Sequence, residues 1–123
     1  MKVFILEDDE NRIKQFNRAL HKHTVLHADN VKDAIKILEE NEDIIIIFLD
    51  HDLDNKVFVP SSNSNTGYAL AKHIRDSGKI YPQIIIHSMN IIGATNMKDV
   101  LVNSTEDLHV IPFHMLIKTL TNN

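Results

Sequence analysis

Neither cysteine nor tryptophan occurs among the 123 residues, and glycine and proline number only three each. The lack of cysteine excludes a disulfide framework, a disulfide partner and a thiolate metal site. Glycine and proline this sparse are expected to mark specific boundaries, and no glycine-rich phosphate loop can be built from them. Long apolar runs are also missing. The six residues Ile44 to Leu49 form the longest, far below the roughly 20 needed to span a membrane. No charged start, apolar middle and small-residue cleavage site mark a signal peptide, so a cytoplasmic protein without membrane partners is expected. The net charge of −4 speaks against broad coating of nucleic acid but leaves room for a small phosphate-containing substrate. A chain of this length is expected to form one domain over residues 1–123 with a real core.

What is present alternates. Lys2 to Leu6 reads as a strand, followed by helical spacing of Ile13, Phe16, Ala19 and Leu20 within Glu10 to His21. Thr24 to His27 is a poorer strand. Asn30 is placed to cap a helix with Val31, Ala34, Ile35 and Leu38 on one face, and Asp33 in its first turn favours the helix dipole. Ile44 to Leu49 is mostly β-branched and reads as a strand buried on both faces. Residues 55–65 are the one long irregular stretch, either a lid with Val57 and Phe58 closing on a site or simple disorder. Thr66 then caps a helix with Leu70, Ala71 and Ile74 inward, ended by Gly78. Ile84 to Ile86, a helix over roughly residues 92–102, Leu108 to Ile111 and a helix from Phe113 to Leu120 complete the pattern. Five alternations of strand and helix predict an α/β fold: a doubly wound, five-stranded parallel sheet of flavodoxin-like order.

In that order the first, third and fourth strands are neighbours, and ligands bind beyond their carboxyl ends. Those ends carry Glu7-Asp8-Asp9, Asp50-His51-Asp52-Leu53-Asp54 and His87-Ser88-Met89-Asn90. Carboxylates gathered in this way repel unless a cation neutralises them, and oxygen ligands suit a hard divalent ion. Glu7, Asp8, Asp9 and Asp50 are therefore the candidate ligands for Mg²⁺ or Mn²⁺. Asp50 directly abuts the buried run and would be costly to bury without a partner.

The same residues resemble two-component receiver domains, with Asp8-Asp9 as the acidic pair and Asp50 as the phosphoacceptor. Two departures accompany the resemblance: Ile111 precedes Pro112 where receivers have lysine, and His87-Ser88 stands where they have serine or threonine. The chain is more closely similar to the cyclic-phosphate processing receiver domains. Four motifs carry that likeness: Asp8-Asp9 with Arg12, Leu49 to Leu53, Thr66-Gly67-Tyr68, and His87-Ser88-x-Asn90 followed by Gly93 and Met97. The resemblance implies processing of a cyclic phosphate on a nucleotide or RNA end. A receiver phosphorylated on Asp50 and a receiver-derived binding module without catalysis are the alternatives, and the oligomeric state is left open.

Opening a cyclic phosphodiester requires an activated water, a proton for the leaving sugar oxygen, and stabilisation of charge at phosphorus. Histidine, with an ordinary pKa of about 6.5, suits both proton transfers. His51 and His87 are the candidate pair, with Asp50 and Asp52 beside them. Ser88, Asn90, Gly67 and the guanidinium of Arg12 are candidates to meet the substrate, with a salt bridge to the acidic pair as the equal alternative for Arg12. Strand alternation sets His51 opposite to Asp50 and Asp52 unless the backbone turns at Asp50. Of the other histidines, His21, His23 and His27 fall at a helix end and on a peripheral strand, where a cation near a helix C-terminus is favourable. No partner is legible for His73, His109 or His114.

Overall fold

The computed structural model describes residues 1–53 and 59–122. Asp54, Val57 and Phe58 lie outside them, so the lid reading does too. Ten elements alternate without exception: β1 (Lys2–Leu6), α1 (Glu10–Ala19), β2 (Thr24–Ala28), α2 (Val31–Glu40), β3 (Ile44–Leu49), α3 (Gly67–Ser77), β4 (Gln83–Ile86), α4 (Ile91–Leu101), β5 (Leu108–Val110) and α5 (Phe113–Thr121). The sheet order is β2-β1-β3-β4-β5 and every pairing is parallel. This is the expected flavodoxin-like sheet, with the boundaries shifted by a residue or two at several ends.

The period of two along each strand sorts side chains into two cores. Val3, Ile5, Phe48 and Ile85 pack with Phe16 of α1 and with Phe113 and Leu116 of α5. Phe4, Leu6, Ile47, Leu49, Ile84 and Ile86 pack with α2, α3 and α4 through Ala34, Leu38, Leu70, Ile74, Met97 and Leu101. The central strands β1, β3 and β4 are therefore apolar on both faces, whereas the edge strands β2 and β5 are partly exposed.

The helix caps follow from residue type. Asp9, Asn30, Thr66 and Asn90 each have extended backbone and accept backbone N–H groups of α1, α2, α3 and α4 respectively. Gly78 ends α3. Residues 59–65 are held by a backbone turn and by side-chain bonds rather than by regular secondary structure. The Asn63 N–H donates to the Pro60 carbonyl (3.0 Å), Asn65 N–H to Asn63 Oδ1 (2.8 Å), and Val31 N–H to Asn65 Oδ1 (3.0 Å). No helix among the described residues is long and apolar enough to cross a membrane.

Candidate functional site

The alternation that builds the two cores continues past the strand ends. Glu7, Asp50 and His87 each lie two residues beyond Ile5, Phe48 and Ile85, and all three point to the α1/α5 face. One ligand atom from each lies within 4.8 Å of the other two, and all three residues are buried. His87 Nε2 and Glu7 Oε1 are 3.0 Å apart. The His87 ring is packed edge-on against Phe16 and tilted on Phe113, and its buried Nδ1 has no hydrogen-bond partner among the described residues. Arg12, from the first turns of α1, reaches over the cluster. Its Nη1 is 3.5 Å from Glu7 Oε1 and 3.8 Å from Asp50 Oδ2, and its guanidinium lies 5.3 Å from the Phe113 ring centre.

Two adjacent buried carboxyls cannot both ionise freely. Burial, then the charge of Glu7 and a hydrogen bond with it, push Asp50 up from 3.8 to about 8, against the opposing pull of the His51 N–H and Arg12. For Glu7, burial is the largest single influence and acts upward. The hydrogen bond and charge of His87, then Arg12 and the Asp9 N–H, outweigh it and hold Glu7 below its ordinary 4.5. Metal-free, the pair thus shares one proton near neutrality, with the charge on Glu7.

Asp8 and Asp9 are placed differently. Asp9 is the N-cap of α1, its Oδ1 accepting from Asn11 (2.9 Å) and Arg12 (3.1 Å) N–H groups. Asp8 is partly exposed, and its N–H donates to Glu7 Oε2 at 3.1 Å. The compact donor cluster contains His87 where the sequence suggested these two.

His51 takes the opposite face, two residues beyond Leu49, and is completely buried. The bend expected at Asp50 lies at His51, and His51 Nδ1 and Asp52 Oδ1 are 2.8 Å apart. Asp52 Oδ1 also accepts from Val59 N–H (3.1 Å) and Asn90 Nδ2 (3.1 Å). His51 Nε2 faces Ser61 Oγ at 2.9 Å, and Asn96 Nδ2 donates to that oxygen, also at 2.9 Å. The backbone N–H of His51 donates to Asp50 Oδ1 (2.8 Å), tying the two faces together.

Two glycines make this packing possible. A Cβ on Gly93 would lie 2.4 Å from the His51 ring, and one on Gly67 would lie 2.0 Å from the Asp50 carbonyl oxygen. Gly67 also donates its N–H to the His51 carbonyl at 2.9 Å. Close backbone approach is what the fold requires of Gly67. Ser88 is buried, with its Oγ accepting from the Asn90 N–H at 3.0 Å. Asn90 directs its amide inward: Oδ1 accepts from Gly93 N–H (2.9 Å), and Nδ2 donates to Asp52 and to the Val59 carbonyl (3.1 Å).

The structure therefore brings Glu7, Asp50 and Arg12 together, adds His87 to them, and gathers His51, Asp52 and Asn90 separately. Sequence reasoning missed Ser61, Asn96, the aromatic walls Phe16 and Phe113, and His27, whose Nε2 lies 2.8 Å from the Glu7 carbonyl. The serine-rich composition of residues 59–65 was the only available signal for Ser61. Of the remaining histidines, His21 Nδ1 lies 3.1 Å from the Arg18 carbonyl at the end of α1, in keeping with the helix-end reading. His73 and His109, for which the sequence offered no partner, lie beside Glu39 (3.9 Å) and Asp107 (2.7 Å).

The same fold is found in the phosphorylated cyanobacterial phytochrome response regulator RcpA, at 20% identity and a TM-score of 0.69, covering 98% of this chain and 89% of that one. The Mn²⁺-bound form of the response regulator Rcp1 is similar at 15% identity and 0.64, with coverage of 98% and 89%. The BeF3-activated N-terminal receiver domain of Klebsiella pneumoniae RstA is similar at 17% and 0.65, with 98% and 95%. No curated protein matches the sequence. Residues 1–103 match the family described as the cyclic-phosphate processing receiver domain. Five parallel strands in receiver order, with that match over most of the chain, make the protein a member of the cyclic-phosphate processing receiver family.

Proposed function

We propose that this domain hydrolyses a cyclic phosphate, on a nucleotide or an RNA end, to a monoester with the help of a divalent cation. The observation that carries the reading is the convergence of Glu7, Asp50 and His87 within 4.8 Å at three adjacent strand ends. The donor set fits a divalent ion, because its two carboxyls share a single proton and a cation would relieve their repulsion. Glu7, Asp50 and His87 would hold the ion, with the nearby Asp8 and Asp9 adding negative charge. An imidazole among carboxylates favours Mn²⁺ over Mg²⁺, and the similar response regulator Rcp1 is an Mn²⁺-bound form. When bound, the ion would supply positive charge to the phosphate oxygens.

The chain's own residues do the rest. Arg12, whose side chain is one-quarter exposed, brings a second positive charge to the same place and is able to pair with a phosphate oxygen. His51 and His87 face opposite sheet layers and share no hydrogen-bond partner among the described residues, so they do not act as a symmetric acid–base pair. His87 belongs with the cation ligands. His51, oriented by Asp52, carries the proton transfer. Ser88 and Asn90 contribute by shaping the turn into α4, and Gly67 by letting α3 close on Asp50.

Incubation of the Mn²⁺-loaded protein with 2′,3′- and 3′,5′-cyclic nucleotides and with RNA ending in a 2′,3′-cyclic phosphate tests the reading. Monoester product is expected from at least one of them. His51→Ala should lose about 10²- to 10⁴-fold and His87→Ala should lose most activity through weakened cation binding, while His73→Ala, on α3 away from the site, keeps its activity. If none of these substrates is turned over, the proposal fails.

A second reading, phosphorylation of Asp50 as in a signalling receiver, is favoured by the fold likeness to phosphorylated RcpA. Near-complete phosphorylation by a small phosphodonor, lost in Asp50→Asn, would support it; the absence of a lysine at Ile111 leads us to expect no stable acyl phosphate. Binding of a cyclic phosphate without turnover would point to a receiver-derived binding module.

A further inference from the structure

The bonds around His51 run in one direction. Asp52 Oδ1 lies 2.8 Å from Nδ1 and also accepts from Val59 and Asn90, so it is a carboxylate with three donors around it. Asn90 Nδ2 also stands 3.3 Å from Nδ1, but its two N–H groups are taken by Asp52 Oδ1 and the Val59 carbonyl at 3.1 Å. A lone pair on Nδ1 would repel the closer carboxylate oxygen, so Nδ1 carries the proton and Nε2 is left as an acceptor. Nε2 faces Ser61 Oγ at 2.9 Å. Asn96 donates to the same oxygen, and with Nε2 an acceptor the serine's own proton is directed at it. Aspartate, histidine and serine are thereby arrayed as in a nucleophilic triad, an arrangement identified by geometry and roles rather than by chain order.

A purely structural bond would serve equally well with both partners buried. Here His51 is wholly buried while Ser61 is partly exposed, so the bonded series runs from the core to a residue that solvent reaches. Ser61 is also held in place: it follows Pro60 in the turn closed by the Asn63 N–H. Its base, His51, is bonded through its backbone to Asp50, next to the proposed phosphate site.

We propose that Ser61 is an activated nucleophile toward phosphorus, with His51 as its base and Asp52 as the positioning residue. In the cyclic-phosphate reaction, Ser61 Oγ bonds to phosphorus as its proton moves to His51 Nε2. One ring P–O bond breaks, and the departing sugar oxygen takes that proton. Water then attacks phosphorus, giving a proton to Nε2; the P–Oγ bond breaks and Oγ recovers the proton. The sum is one water consumed and one monoester released. The choice of substrate rests on the reading above; the reactivity of Ser61 does not.

A fluorophosphonate probe tests the nucleophile without any cation or cyclic phosphate. Attack by Ser61 forms the P–Oγ bond, breaks P–F, and releases fluoride with the serine's proton. Peptide mass mapping of the folded protein should place the adduct on Ser61, at a rate about 10²- to 10⁴-fold above that of the exposed Ser62 and Ser64. Unfolding in urea should abolish the preference. Ser61→Ala should remove the adduct and Ser62→Ala should leave it. His51→Gln and the isosteric Asp52→Asn should slow labelling while circular dichroism remains that of the folded protein. Labelling of Ser61 without turnover of any cyclic phosphate would uphold the nucleophile and overturn the substrate reading. Turnover of a cyclic phosphate by Ser61→Ala at the wild-type rate would overturn the nucleophile and uphold the substrate reading. Folded wild-type protein that forms no adduct at Ser61 also overturns it.

Discussion

His87 and His51 are both fully buried at the same edge of the sheet, yet among the described residues one ring nitrogen of His87 has no partner and both of His51 have one. Around His87 the neighbours are two carboxyls in competition for one proton, an arginine at 3.5–3.8 Å from them, and phenylalanine rings. Around His51 they are amides, a hydroxyl and a carboxylate whose bonds are complementary. The first region holds competing charges in a buried place. The second is internally satisfied and orients groups. One residue step just beyond β3, from Asp50 to His51, separates them, because consecutive side chains leave an extended chain on opposite faces.

The comparison breaks most visibly with pH. In the metal-free protein Asp50 has its folded value raised to about 8 from 3.8. Between those values the folded state keeps a proton that the unfolded state has lost, so stability should fall as pH rises from about 4 to 8. Glu7 is held low and gives the opposite slope only below its ordinary 4.5. Denaturant titrations should show a decline on the order of a few kcal/mol across that window, flattened in Asp50→Asn. A decline that is just as steep in Asp50→Asn would show that the carboxyl pair is not its source.

A smaller effect should come from the cation itself. At one hundred times its dissociation constant, Mn²⁺ should stabilise the fold by about 2.7 kcal/mol, raising the melting temperature of the wild type. The shift should be greater for Mn²⁺ than for Mg²⁺ and should largely vanish in Asp50→Asn. An equal shift in that variant would place the ion elsewhere.

The smallest change sharpens the separation. Gly93→Ala puts a methyl group 2.4 Å from the His51 ring, and overpacking of this kind costs about 1–3 kcal/mol. It should impair turnover and Ser61 labelling while the Mn²⁺-induced melting shift is kept. Loss of the shift together with turnover would mean that the two regions act as one.

Much of this could be read from local pattern. The β-branched run before Asp50 gave a central strand, and the capping residues Asn30 and Thr66 gave helix starts where the backbone has them. Asp9 was legible as a cap too, since an aspartate just before a helix satisfies its free N–H groups. Alternation correctly set His51 against Asp50, and two steps beyond Ile85 the same rule places His87 with the carboxyls.

What the sequence by itself determined is the order of strands and helices, the polar strand ends and the face that each strand-end side chain takes, because all of these depend on spacing within a few residues. Only the tertiary structure decided the partners. His87 meets Glu7 across 80 positions and Ser61 meets Asn96 across 35. Such pairs depend on which strands are neighbours and on how a loop folds back, which no local period encodes. The same holds for the raised Asp50 value: the residue type supplies a carboxyl, but burial beside a second one is a property of the assembled sheet.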